Sequence, residues 1–238
     1  MTWTAGGALP INGGAVRHKF TATEQVYLSY WVKYSANFVG SGHDYHPHEF
    51  YFVTNADGDF IGPSATHLTT YVEQNYQNGG IPELSMTDAL NIDVTRINVD
   101  LSNLTEQRAS AGCNGSADGY LTDCYQSGGD WRNEKRWRAA QPMFKPNPGP
   151  GYKNDWHMVE AYYQLNTIAG GKGQKDGIAQ YWFDGQLVID KQNVMFRTAV
   201  NPTMKFNQFL IAPYIGDGSP VAQSMWVDDL VIATSRVP

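Results

Sequence analysis

Residues 156–190 constrain the fold more than any other stretch of this chain. Trp156 to Asn166 is rich in aromatic and apolar residues and holds neither Gly nor Pro, so it reads as a strand of about ten residues. Thr167 to Gly177 carries Gly170, Gly171, Gly173 and Gly177 and reads as a loop. Ile178 to Phe183 is a second strand. Asp184-Gly185 supplies the positive-φ positions of a tight hairpin, and Gln186 to Ile189 runs back. Strand, loop, strand, two-residue turn, strand is the meander of a large antiparallel sheet.

The rest of the chain agrees. Val16–Phe20, Gln25–Tyr34, His48–Thr54, Thr66–Tyr76, Val94–Leu101, Lys205–Ile211 and Met225–Thr234 all read as strands. Thr21–Glu24 and Asn55–Asp59 read as turns, Ser35–Pro47 as a polar loop and Gly79–Pro82 as a break. From Ser102 to Lys153 periodicity lapses, which predicts a long irregular loop insertion with one or two helical turns over Leu104–Ala109. With 24 Gly, 12 Pro and 13% aromatic residues, the chain is expected to be all-β: a two-sheet antiparallel β-sandwich. No linker-like segment divides residues 1–238, so one domain is expected.

A net charge of −6 argues against a nucleic acid partner held by a basic field. There is no apolar run near the ~18 residues that a membrane helix needs. Met1-Thr2-Trp3 does not open a signal peptide, so a chain trimmed of its secretion signal is expected. Cys113 and Cys124 bracket a loop-like sequence and are expected to close it as a disulfide, which suits a secreted, extracellular or periplasmic protein. Asn103 and Asn114 open N-x-Ser/Thr sites. Nothing here fixes an oligomeric state.

Three features carry a family resemblance: a Trp-led strand ending in Leu165-Asn166, then Trp182-Phe183-Asp184-Gly185, then Trp226 to Ile232. Together they resemble the concanavalin A-like jelly roll, and within it the polysaccharide lyase and laminin-G-like branches. The likeness runs from Gln25 to the C-terminus, with its specific motifs after Lys153. It implies a jelly-roll sandwich. That fold carries lectins, hydrolases, lyases and inert modules alike, so activity has to be argued from side chains.

Four groups of residues invite that argument. Trp131-Arg132-Asn133-Glu134-Lys135-Arg136-Trp137-Arg138 with Lys145 concentrates basic and aromatic residues in an acidic chain. Guanidinium groups pair with carboxylates and indoles stack on sugar rings, as an anionic polysaccharide requires. On strand alternation Glu160, Tyr162, Gln164 and Asn166 share one face of the central strand, with Gln180, Trp182 and Asp184 beside them on the next. Such a row can line a groove for a sugar chain, or it is an ordinary solvent face. His67 shares a face with Thr69, Tyr71, Glu73 and Asn75, where His beside Tyr suits acid–base work. His43, His46 and His48 have weak metal spacing, and the Asn55–Asp59 turn is compatible with structural Ca²⁺, although no cofactor is required.

Neither a nucleophile elbow nor a phosphate-cradling Gly loop is present. The alternating acids of a retaining glycosidase in this fold are missing too. Jelly-roll lyases use Tyr and His as acid and base with Arg, Gln or Asn on the uronate. By residue type Tyr162 and His67 take the catalytic roles here, with Arg132, Gln164, Glu160, Gln180, Trp182 and Trp131 binding substrate. The alginate-lyase motifs Arg-Ser/Thr-Glu-Leu, Gln-Ile/Val-His and Tyr-Phe-Lys-Ala-Gly are absent, so this assignment rests on face and residue type. A non-catalytic carbohydrate-binding or adhesion module and a structural extracellular subunit are the alternatives.

Overall fold

The computed structural model describes residues 1–13, 15–43, 48–56, 58, 68–75, 80–88, 124–127, 130–199 and 201–237, with backbone alone at 75, 87–88, 124–127 and 130–135. In chain order the strands are β1 (Thr2–Trp3), β2 (Val16–Thr23), β3 (Gln25–Tyr34), β4 (His48–Thr54), β5 (Leu68–Asn75), β6 (Ile81–Asp88), β7 (Cys124–Ser127) and β8 (Asp130–Arg138). They continue with β9 (His157–Gln164), β10 (Ile168–Ala169), β11 (Lys172–Gly173), β12 (Gly177–Phe183), β13 (Gln186–Val194), β14 (Phe206–Tyr214) and β15 (Gln223–Ala233). A six-stranded sheet runs β1-β15-β3-β9-β12-β13 and a seven-stranded sheet runs β2-β14-β4-β5-β6-β8-β7. β10 and β11 make a small separate ribbon. The expected all-β, two-sheet antiparallel sandwich is what forms.

One apolar cluster fills the space between the sheets. Tyr30 and Val32 of β3, Val159 and Tyr163 of β9 and Tyr181 of β12 meet Phe50 and Phe52 of β4, Val72 of β5 and Leu84 of β6. Tyr30 packs on Phe50 at 4.3 Å, and Trp137 of β8 packs edge-on to Phe196 at 6.2 Å. Polar bridges cross the core as well: Gln74 Nε2 donates to Tyr181 Oη at 2.7 Å, and the Tyr163 hydroxyl donates to the Tyr71 carbonyl. Buried aromatics of this size supply most of the burial energy, and their hydroxyls must find acceptors.

The central meander forms as its sequence dictates. β9 pairs with β12 from Phe183↔Val159 to Ile178↔Gln164, and β12 pairs with β13. Asp184 (φ 48°) and Gly185 (φ 77°) make the two-residue turn, the backbone that Asp-Gly supplies at least strain. Three expectations are corrected. β2 runs through Thr21–Thr23 where a turn was expected, because Thr23 pairs with Phe206 at the end of the β14 ladder. β6 begins at Ile81 despite Pro82. The Pro82 carbonyl accepts from Ala139 N just past the end of β8, so no regular ladder position loses a donor there. The irregular insertion expected over 102–153 contains β7 and β8. In β8 the buried Trp137 alternates with the charged Arg136 and Arg138, a strand pattern that the charge conceals. Val94–Leu101, Leu104–Ala109, Asn103, Cys113 and Asn114 lie outside the described residues, so the Cys113–Cys124 disulfide stays an expectation.

Candidate active site

The residues expected to act together divide between the two sheets. Glu160, Tyr162 and Gln164 of β9 and Gln180 and Trp182 of β12 do share the outer face of the six-stranded sheet, as alternation predicts. Trp131 and Arg132 belong to β8 in the opposite sheet, where the backbone alone is described. His67 lies outside the described residues. Tyr162 and Arg132 therefore belong to strands of different sheets.

On its own face Tyr162 works with amides. Its hydroxyl sits 2.9 Å from Gln164 Oε1 and 3.1 Å from Gln25 Oε1, and burial raises its pKa. Glu160 is taken up by neighbours: Arg236 Nε and NH2 donate to its two oxygens at 2.7 and 2.9 Å, and Tyr27 Oη donates at 2.8 Å. Burial alone would raise the Glu160 pKa, but these hydrogen bonds outweigh it and hold the carboxyl below its usual range. The Arg236 guanidinium also lies 4.7 Å from the centre of the Trp182 ring, so the tail covers the indole that was expected to stack on sugar. Gln180 donates to Asp190 at 2.9 Å. Asn166, expected on this face, is fully buried, and its Oδ1 accepts from Phe196 N and Arg197 N, both at 2.9 Å.

The outer face of the seven-stranded sheet holds a denser set of titratable groups. There His48 and Tyr51 of β4 face Tyr71 and Glu73 of β5. Glu83 of β6 and Arg136 and Arg138 of β8 continue the row. His48 Nδ1 is hydrogen-bonded to Glu73 Oε1. The His48 ring lies 4.8 Å from that of Tyr71, and Tyr71 packs edge-on to Tyr51 at 5.1 Å. Arg138 Nε donates to Glu83 Oε2 at 2.5 Å, and Arg136 NH1 lies 3.7 Å from Glu83 Oε1. Further along the sheet, Arg17 of β2 donates to the buried Gln208 of β14, whose Nε2 has no partner among the described residues.

This is not a solvated face. Tyr51, Tyr71, Glu73 and Glu83 are all buried, whereas the side chains of His48 and Arg138 are 22% and 31% exposed, which makes them the accessible edge of the cluster. Burial, then the charge of Glu83, pushes the Glu73 carboxyl well above its usual range, against the pull of Arg136 and Arg138. Burial, then Glu73, pushes the Tyr51 hydroxyl well above its own. Glu73 and Tyr51, the two groups shifted by burial, share this cluster with Glu83, His48, Tyr71, Arg136 and Arg138, the mix of acids, bases and cations that marks a candidate functional site.

Sequence reasoning reached part of this cluster. Tyr71 and Glu73 stood in the row assigned to His67, and Arg136 and Arg138 in the basic aromatic stretch. By sequence His48 carries only metal-ligand spacing, and Glu83 sits behind the Gly-Pro break. For the metal reading, His46, Asp57 and Asp59 lie outside the described residues. His43 Nε2 is 3.8 Å from Asp217 Oδ2, and among the described residues no group of three His, Cys, Asp or Glu is placed to hold a metal ion.

No family model and no curated protein matches the sequence. Solved structures do match. An alginate lyase from Chlorella virus is 13% identical at a TM-score of 0.56, covering 98% of this chain and 83% of its own. A marine alginate lyase from Aplysia kurodai is 12% identical at 0.53, over 99% and 82%. An endo-beta-1,4-glucuronan lyase from the fungus Trichoderma reesei is 13% identical at 0.51, over 98% and 79%. At these identities the likeness carries architecture alone: the chain has the two-sheet β-sandwich fold of these polysaccharide lyases.

Proposed function

We propose that this protein is a secreted lyase that cleaves a uronic acid-containing polysaccharide by β-elimination on the outer face of the seven-stranded sheet. The observation that carries the reading is the buried cluster of His48, Tyr71, Glu73, Glu83, Arg136 and Arg138. A fold shared with lyases of alginate and glucuronan supports it.

The chemistry follows from the parts. Arg138, at the accessible edge, pairs with the uronate carboxylate and so acidifies the C5–H beside it. Glu73, once ionised, accepts from Nδ1–H and so leaves Nε2 of His48 as the proton acceptor. As that C–H breaks, its electron pair forms the C4=C5 double bond and the C4–O bond to the departing sugar opens. Tyr71, whose ring lies 4.8 Å from that of His48, gives its proton to the leaving oxygen. No oxidant, metal or water is consumed.

The test is absorbance near 235 nm, where the unsaturated product absorbs, on polymannuronate, polyguluronate, glucuronan, pectate, heparin and chondroitin. His48→Ala and Tyr71→Phe should each lower the rate by about 10²–10⁴-fold. Tyr162→Phe should stay within about twofold, because its hydroxyl belongs to the other sheet. Loss of activity in Tyr162→Phe alone would move the site to the six-stranded sheet. A flat trace on every polymer would leave a non-catalytic carbohydrate-binding module as the reading.

A further inference from the structure

The six-stranded sheet has its own outward-facing surface, on the opposite side of the molecule from the His48 cluster. Trp31, Trp156 and Trp226 are 38%, 43% and 43% exposed, in a protein whose Trp3 and Trp137 are 1% exposed. The register brings the three together. Trp226 of β15 is opposite Lys33 of β3, and Asp228 is opposite Trp31, which in turn faces Met158 of β9. Trp156 precedes His157, the partner of Val32, so it extends the row Trp226–Lys33 by one strand. At about 4.8 Å between strands, Trp226 and Trp156 stand roughly 10 Å apart, with Trp31 between them and about 7 Å along the strand. Trp156 and Trp226 line one shallow cleft with Asp228 and Asp229, beside the bulge where β15 breaks register between Asp228 and Val231.

We propose that this surface binds a neutral, β-linked glycan strand, independently of the site on the other sheet. Two indoles two strands apart match the repeat of a chain whose alternate rings present the same face, and indole is the side chain best suited to stacking on pyranose C–H groups. The polar groups between the indoles supply hydrogen bonds for hydroxyls: Lys33 lies between Trp226 and Trp156, and Asp228 beside Trp31. Charge selects the class of glycan. The Asp228 and Asp229 carboxylates at the cleft repel a polyuronate, whereas Arg136 and Arg138 on the opposite sheet attract one. A protein partner fits less well, because charged residues interrupt the indoles and interface cores are depleted of charge.

The experiment is affinity electrophoresis of the whole chain through gels containing hydroxyethyl cellulose, glucomannan or polymannuronate. Retardation is expected in at least one of the two neutral polymers. Trp156→Ala/Trp226→Ala should weaken it by roughly tenfold or more, with an unchanged far-ultraviolet dichroism spectrum. Trp31→Ala, which leaves the cleft intact, should weaken it too. Mobility unaffected by both neutral polymers would overturn the proposal, as would retardation that survives in both variants. Trp-dependent self-association in sedimentation velocity, without glycan binding, would assign the surface to a second copy of the chain instead. None of these outcomes depends on elimination activity, so this proposal and the lyase reading fail separately.

Discussion

Glu73 and Glu160 are both buried carboxylates, yet their environments move them in opposite directions. The folded pKa of Glu73 is raised above its ordinary 4.5 by burial and by Glu83. Its contribution to stability is therefore full below that value and is lost as pH rises through the folded pKa. Glu73→Gln should melt at a higher temperature than the native chain at pH 8, with the gap closing by pH 4, even as its elimination rate falls. For Glu160 the hydrogen bonds from Arg236 and Tyr27 win over burial, and the folded pKa drops below 4.5. Its contribution is present above that value and is lost as pH falls through the folded pKa. Arg236→Ala should cost about 1–2 kcal/mol at pH 7. The figure is at the low end because Arg236 is half exposed, and urea titrations at pH 7 and pH 3 should show the difference shrinking.

Among the elements, the end of β9 depends on a single amide. Asn166 accepts from two backbone N–H groups of the 196–197 segment and donates to the Arg197 carbonyl at 3.0 Å. Arg197 answers by donating to the Asn166 and Met204 carbonyls at 3.0 and 2.6 Å. Asn166→Ala would leave two buried donors without acceptors and should lower stability by about 3 kcal/mol in urea titration. Strict alternation placed Asn166 on the outer face with Gln164. It fails there because β9 ends at Gln164, and beyond a strand's last ladder pair the pleat no longer dictates where a side chain points. Within β9 alternation holds, and β3 and β4 end where the sequence reading puts them, to the residue. β8 was less legible: a half-buried strand with a charged outer face has few apolar residues by which to show its period.

In the molecule as a whole, the two outer faces divide the chemistry. The His48 cluster with its acids and two arginines stands on the seven-stranded sheet, and the three exposed indoles with Asp228 and Asp229 on the six-stranded one. Trp156→Ala/Trp226→Ala should leave the 235 nm rate within about twofold while His48→Ala lowers it by about 10²–10⁴-fold, since mutations on separate surfaces act additively. The sequence alone determined the all-β class, the meander around Asp184-Gly185 and the inward faces of β3 and β9, because local alternation and turn chemistry encode these directly. It also showed a Tyr row and a basic aromatic stretch, but joined into one site residues that lie on different sheets. Which strand neighbours which is settled by packing between segments far apart in the chain: Glu83 against Arg138, His48 against Glu73. Only that long-range pairing, driven by burial of a shared aromatic core, decided that Tyr71 rather than Tyr162 stands beside a histidine and within a row of arginines.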